Sequence, residues 1–596
     1  MFAKKNSRKE NREKRMKYLG VYWKKYKRDS ILAPLFKMLE AGFDLLVPIV
    51  VARIINIGIV NQDKGYILGC CGLLVLMAVV GTCCSFTAQY FAARAAIGST
   101  AGLRHMLFAH IQKLGFSEID TIGSSTLITR MTSDINQVQN GLNLFLRLFL
   151  RSPFIVFGAM VMAFTIDWQL ALIFVVAIPV LSVIVFGIMR ITSPLYKKVQ
   201  GKLDKVTKGA RENLSGVRVI RAFGREEEEI RDFSQDNAGL VGMQLFVGRI
   251  SALMNPLTYA VVNLGIIAVL YAGSRTVNAG GLMSGDIIAL VNYMSQILVE
   301  LVKLANLIVS ISRALASLSR VEQVLDTKTA MEFPSGKRAE EEKAAKETDI
   351  AVQFEQVGLT YPQSGEESLS DISFTVKRGQ TVGIIGGTGS GKTSLVHLIP
   401  RFYDATRGQV FLLGRPVQEW EKDSLRKSVA VVMQRVQLFA GTIRSNLLWG
   451  NEDASEEDMW KALEMAQARD FVKEKAQGVD EPVEQGGRNF SGGQRQRLTI
   501  ARAIIRKPEI LILDDSSSAL DYATDAALRK ALAALSPRTT VFYVSQRTAS
   551  IQHADVILVL DDGRIVGKGN HQELLETCEI YREIYDSQFQ KGGGDR

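Results

Sequence analysis

Six stretches before residue 320 are apolar over roughly 25 to 30 positions each, at about 31–60, 66–97, 141–165, 168–192, 246–273 and 284–312. About 20 predominantly apolar residues, rising ~1.5 Å each as helix, cross the ~30 Å hydrocarbon core of a bilayer. Six membrane helices are therefore expected, and the longest should continue beyond the bilayer. An even count returns the chain to its starting side. The connections at 61–65, 166–168 and 274–283 are short and carry only Lys64 and Arg275 as cations, whereas the first 28 residues and 193–245 are rich in Lys and Arg. Cationic loops stay cytoplasmic, so both termini are expected on that side. The polar connections at 98–140 and 193–245 are nearly free of proline and read as helical extensions, each expected to reach a cytoplasmic partner domain.

The remainder is of another kind. Hydrophobic residues make up 47% and charged residues 22% of the 596, an average that suits a greasy half joined to a polar half. Residues 1–28 hold twelve Lys or Arg against Glu10 and Glu13, so nearly all of the formal +11 sits there and the rest is close to neutral. The balance disfavours a nucleic-acid-binding body. The tail lacks the short apolar core and cleavage site of a secretory signal and reads as an uncleaved cytoplasmic anchor, solvated or laid along anionic headgroups. Of the five cysteines, Cys70, Cys71, Cys83 and Cys84 share one apolar segment and Cys578 stands alone; buried small side chains are expected, with no disulfide framework or metal spacing. Residues 327–349, with mixed charges and one proline, read as a linker. From Ile350, strand-length apolar runs alternate with helical stretches, the pattern of an α/β domain with a largely parallel sheet. The expected division is a basic tail (1–28), an all-α transmembrane domain (29–326), the linker (327–349) and an α/β nucleotide-binding domain (350–596).

The chemistry is concentrated in that last domain. TVGIIGG runs directly into GGTGSGKTS, which places Gly386, Gly387, Thr388, Gly389, Ser390, Gly391, Lys392, Thr393 and Ser394 in a strand–loop–helix phosphate-binding pattern. Glycines let backbone N–H groups turn onto phosphates, Lys392 reaches the β/γ oxygens and Thr393 holds Mg²⁺. A second apolar strand, Ile510–Leu513, delivers Asp514, a carboxylate suited to the same metal. Between them lies NFSGGQRQR, residues 489–497, whose Ser491 and Gly493 precede a helix and offer donors to a further phosphate, although the phosphate loop already has its own set.

With these motifs the chain resembles the half-transporters of the ATP-binding cassette exporter family. Ser491, Gly492, Gly493 and Gln494 match that family's signature, Gln434 its glutamine loop, Tyr361 its adenine-stacking aromatic and Ser518–Asp521 its dimer-contact loop. HMLFAHIQKLGFSEIDTIGSSTLITRMTSDI and ENLSGVRVIRAFGREEEEI look like its two intracellular loops, with coupling helices near 117–122 and 223–227. The resemblance implies a type I exporter fold: six transmembrane helices followed by an α/β P-loop domain that takes ATP and Mg²⁺. It also implies two cassettes packed head to tail, each signature facing the other's ATP, and ATP-driven export of a hydrophobic or amphipathic drug, lipid or peptide.

Two positions depart from that pattern. Asp515 stands where the family has the glutamate that polarises the attacking water, and Gln546 where it has a histidine. Loss of a positioned base typically costs ~10² to 10⁴ in rate. This chain's own site is therefore expected to bind ATP and turn over slowly, which favours a heterodimer with a second half-transporter. An ATP-gated channel, a regulatory membrane protein or a homodimeric lipid flippase would share the cassette. A soluble cassette ATPase would not need the six segments. Within the segments, Glu40 with Asp44 and Arg147 with Arg151 stand at i, i+4 spacing; substrate contact and interhelical salt bridges both remain open for them.

Overall fold

The computed structural model describes residues 17–334, 348–362, 364–535 and 539–589. The chain forms two compact units. One comprises the chain up to Gln112 with Ser125–Thr327, the other Lys113–Ser124 with the chain from Lys328 on.

The first unit is helical. Its six apolar helical segments run Lys27–Ile59, Lys64–Ile111, Ser124–Ile166, Trp168–Ala222, Glu226–Asn278 and Ser284–Leu325, each longer than a bilayer requires. No more than 39% of any bilayer-length window is buried, and Leu68, Phe86 and Val183 are each 72% exposed. Side chains of that kind pointing outward on every helix suit hydrocarbon. Between helices the contacts rest on small residues: Ala41, Ala88, Ala92, Ala95 and Ala96 are fully buried, so backbones approach closely. Cys84 is buried as expected, but Cys71 and Cys83 are exposed, because their faces of the second span look outward. The fourth and fifth segments, through Ala222 and from Glu226, run as a paired arm joined by Phe223–Arg225.

Part of the basic tail is structured. Lys17–Lys25 is a helix, and the rings of Tyr26 and Tyr22 lie where a Cβ on Gly98 or Gly102 would come within 2.2 or 2.3 Å. These residues are therefore ordered as helix while Lys24, Lys25, Lys27 and Arg28 stay exposed; those before Lys17 lie outside the described range.

In the second unit a six-stranded sheet runs in the order Arg564–Gly569, Val556–Asp561, Thr381–Gly386, Thr540–Val544, Ile510–Asp514, Val429–Val432. All neighbours are parallel except the first pair. Ile510–Asp514 and Thr540–Val544 are buried at every position, as strands covered on both faces must be. A second, antiparallel sheet is built on Ile350–Leu359, Leu369–Lys377 and Arg407–Leu412, which the alternating pattern did not foretell. The carboxyl ends of the parallel strands gather Gly386, Asp514 and Val544 at one edge, the usual place for a ligand in such a sheet.

Part of the stretch read as a linker is bonded within the second unit. Ala330 N–H donates to Glu118 (3.1 Å), Arg401 donates to the Glu332 carbonyl (3.1 Å) and its guanidinium lies 4.6 Å from the Phe333 ring centroid. Glu332 and Phe333 thus meet Arg401 of the cassette and Ala330 the helix Phe116–Ile122, and 335–347 lie outside the described range.

Candidate functional site

The strand Thr381–Gly386 ends in a loop whose shape needs glycine. A Cβ on Gly386 would stand 2.1 Å from the Leu560 carbonyl oxygen, and Gly391 is left-handed at φ 92°. Lys392 follows, 9% exposed, and curls back to donate to the carbonyls of Gly386 (2.9 Å) and Gly387 (2.5 Å) and to Ser390 (3.3 Å). These are acceptors of the loop itself, so the ammonium sits inside the ring of glycines with no fixed anion bonded to it. Burial draws its pKa below the ordinary lysine value, while Asp515 and Asp514 oppose that shift.

Opposite the loop, Asp514 is 1% exposed and accepts a hydrogen bond from Thr393 (3.1 Å). Burial, aided by the neighbouring Asp515 charge, pushes its carboxyl up to about 6, against the pull of Thr393 and Lys392. Asp515 has a left-handed backbone, φ 46°, pinned by its N–H to the Val544 carbonyl (3.0 Å), and its carboxylate accepts from Gln434 (3.2 Å). Gln546 is exposed and its carbonyl accepts from Gln588 (2.8 Å).

Thr388, Gly389, Gly391, Lys392, Thr393 and Ser394 share an open cavity of about 420 Å³ with Gln434, Asp514, Asp515 and Gln546. Sequence reading thus found one wall of it from distant stretches of chain. Tyr361 stands at its margin: its hydroxyl donates to Ser394 (3.0 Å) and its ring meets Tyr403 edge to face at 5.0 Å. A glycine cradle that a Cβ would fill, a buried ammonium and a paired hydroxyl and carboxylate fit the phosphates of ATP and a divalent cation. Thr393, Asp514 and Gln434 are the residues that would hold Mg²⁺.

The signature is elsewhere. Ser491 caps the helix Gly492–Ile504, its hydroxyl accepting from Gln494 N–H (3.3 Å) while Gln494 accepts from Ser491 N–H (3.0 Å). Ser491 and Gly492 are exposed, and none of the four signature residues lines the phosphate cavity.

Several neighbours of the site escaped the sequence reading. His397 is half-buried, its shielded Nε2 3.9 Å from Asp514 and without a hydrogen bond; burial holds its pKa below the ordinary value. It lies one turn after Thr393, a spacing that puts both side chains on one helix face, and that was the available signal. Its ring meets Phe402 edge to face at 5.4 Å, and Phe402 stacks on Phe116 at 4.4 Å. Tyr403 donates to Asp120 (2.5 Å). Phe116–Ile122 is a separate short helix held in the cassette unit, where a coupling helix was expected. The second expected coupling helix is instead a tight turn at Phe223–Arg225, with Phe223 77% exposed.

Of the two readings left open for the membrane charges, an interhelical salt bridge is present. Glu40 pairs with Lys37 (2.6 Å), and Asp44 with Arg151 of the third segment (2.9 Å). The helix breaks at Phe149–Leu150, so Arg147 and Arg151 end separate pieces, and Arg147 Nε is buried without a partner.

A phosphate-loop ATPase cassette fused to a bundle of membrane-length helices is the class that this fold and site define. A family model described as "ABC transporter transmembrane region" matches residues 30–301, and one described as "ABC transporter" matches 369–518. The uncharacterized ABC transporter ATP-binding protein YfiB of Bacillus subtilis is 33% identical over 574 residues, 96% of this chain and 99% of that protein. The ATP-dependent lipid A-core flippase of Pectobacterium atrosepticum is 30% identical over 565 residues, covering 95% of this chain and 96% of its own length. A solved bacterial Atm1-family ABC exporter with ATP bound shares the fold at a TM-score of 0.77 and 23% identity, over 94% of this chain and 99% of that one. The chain belongs to the ABC transporter family and has an exporter-type fold, a multi-pass membrane protein with an ATP-binding domain whose ATPase is coupled to transport.

Proposed function

We propose that this chain is one half of a heterodimeric exporter that moves a hydrophobic or amphipathic molecule across the cytoplasmic membrane, with both termini cytoplasmic and with a slow ATP site of its own. The observation that carries the reading is the mismatch within one cassette: the phosphate cavity is complete but holds Asp515 and Gln546, whereas Ser491 and Gly493 stand outside it. A lipid is a reasonable cargo class, since a relative covering almost the whole chain is named a lipid A-core flippase.

In this reading Lys392 and the loop N–H groups orient the phosphates, and Asp514 and Thr393 hold the cation's shell. Bound Mg²⁺ would neutralise phosphate charge. Asp515, tied to Gln434, is a methylene too short to hold an attacking water where a glutamate would. The partner's site uses this chain's Ser491 hydroxyl and Gly493 N–H, and the partner supplies the missing glutamate and histidine. The exposed apolar side chains of the paired arm, Leu214 at 78%, Phe223 at 77% and Ile230 at 66%, support a second chain packing there.

The test is ATP turnover by the purified chain alone and after co-expression with a candidate half-transporter. Mg²⁺-dependent ATP binding with little turnover alone, and brisk turnover as a pair, is expected; brisk turnover alone would sink the slow-site reading. For topology, a cysteine placed at Gly280 should react with an impermeant reagent in intact cells and one at Lys25 should not.

A further inference from the structure

Polar side chains of the membrane unit converge at one point. Arg151 in the third segment donates from Nη2 to Asp44 of the first (2.9 Å) and from Nη1 to Glu300 of the sixth (2.6 Å). Glu300 accepts in addition from Ser152 (2.8 Å) and Lys303 (2.9 Å). The result is a row of four alternating charges, Asp44, Arg151, Glu300, Lys303, with no net charge.

The row is buried in its middle and open at its ends. The side chains of Arg151 and Glu300 are 11% and 5% exposed, those of Asp44 and Lys303 45% and 44%. All four border an open cavity of about 580 Å³ whose other walls include Val47, Val51 and Val299. Helical spacing assembles it: 44, 47, 48 and 51 share a face of the first segment, and 292, 295, 296, 299 and 303 a face of the sixth. Two polar atoms at the cavity are shielded and have no hydrogen-bond partner, Arg151 Nε and Gln296 Oε1, one a donor and the other an acceptor. A merely structural strut would have no use for half-open terminal charges beside apolar walls.

We propose that this cavity receives the zwitterionic head group of an amphipathic substrate, its ammonium at Asp44 and Gln296 and its phosphate at Lys303 and Arg151. The proposal rests on the export reading above and names the substrate's chemistry. A singly charged amphipath meets one attractive end and one repulsive end of the row, and only a head group of both signs satisfies both. The apolar walls take the start of the acyl chain.

The experiment is calorimetric titration of the purified full-length protein, with any half-transporter that co-purifies, by octylphosphocholine, octyl phosphate and octyltrimethylammonium. The tails are equal, so differences report the head. Octylphosphocholine should bind about tenfold tighter than either other probe. Asp44→Asn should weaken octylphosphocholine and octyltrimethylammonium about tenfold while sparing or improving octyl phosphate, Lys303→Gln should do the reverse, and Asp44→Glu should retain the preference. Equal or tighter binding of a probe whose head group has one sign of charge, equal weakening of all three by both variants, or no binding at all overturns the proposal. Export is judged separately, by ATP-driven movement of a fluorescent lipid in reconstituted vesicles: movement with no zwitterion preference in the titration sinks the head-group assignment alone, and absence of movement sinks the export reading with it.

Discussion

Within one cassette, two glycine-containing stretches that each precede a helix end in opposite conditions. In the phosphate loop Lys392 is buried, its ammonium surrounded by loop carbonyls, and Asp514 and Thr393 are already paired across the cavity. At the signature, Ser491 and Gly492 lie open and the serine hydroxyl is engaged only by its own helix end. The first is a site that a single chain completes; the second becomes a site only when a phosphate held by another body is brought to it. The two expected coupling segments repeat the contrast. Phe116–Ile122 is seated through Phe402 and Tyr403 in the cassette unit, while Phe223 is bare.

The largest expected effect is at the open half. Ser491→Arg in this chain alone should lower ATP turnover of the assembled exporter by ~10² to 10³, since it removes a donor and obstructs the phosphate of the partner's site. If turnover is unchanged, the signature is not part of the working site and the comparison collapses. Lys392→Ala comes next. Loss of a buried ammonium should weaken nucleotide binding at this chain's own loop by ~30-fold or more, read by nucleotide-analogue titration, while turnover of the pair falls less than with Ser491→Arg.

Phe223→Asp separates folding from assembly. Because the side chain is 77% exposed, the melting temperature of the purified chain should hold within about 2 °C, whereas coupled transport should fall about tenfold. A large drop in melting temperature would mean that the turn is packed within this chain. The smallest effect is expected for Asp515→Asn, within about threefold on turnover of the pair, because a site already lacking its base has little rate to lose. A collapse of activity there would place productive hydrolysis in this chain's cavity and reverse the division of labour between the two halves.

Local patterns carried much of this. Six apolar runs of sufficient length need no tertiary context to be read as membrane segments, because hydrocarbon obliges the backbone to satisfy itself as helix. The phosphate loop is equally local, since the glycines, Lys392 and Thr393 lie within one turn of chain, and Asp514 follows from a buried strand ending in a carboxylate. Asp515 and Gln546 stood out only against the pattern of the exporter family that the chain resembles.

Other features come from residues remote in sequence. Spacing put Arg151 on one helix face with Arg147 but could not name its partners, Asp44 and Glu300, 107 and 149 residues off. Gly98 and Gly102 look like ordinary small residues of a span until the rings of Tyr26 and Tyr22 occupy the space above them. The short helix Phe116–Ile122 was expected to reach a cytoplasmic domain, but that Phe402 and Tyr403 receive it is not written near it in the chain. By itself, then, the sequence determined membrane helices, an α/β cassette and a phosphate loop, because periodicity, run length and backbone freedom act over a few residues. Only the tertiary structure decided which charges neutralise one another, which helix face is covered and which signature donors remain open, because burial and ion pairing depend on what the rest of the chain brings within a few ångströms.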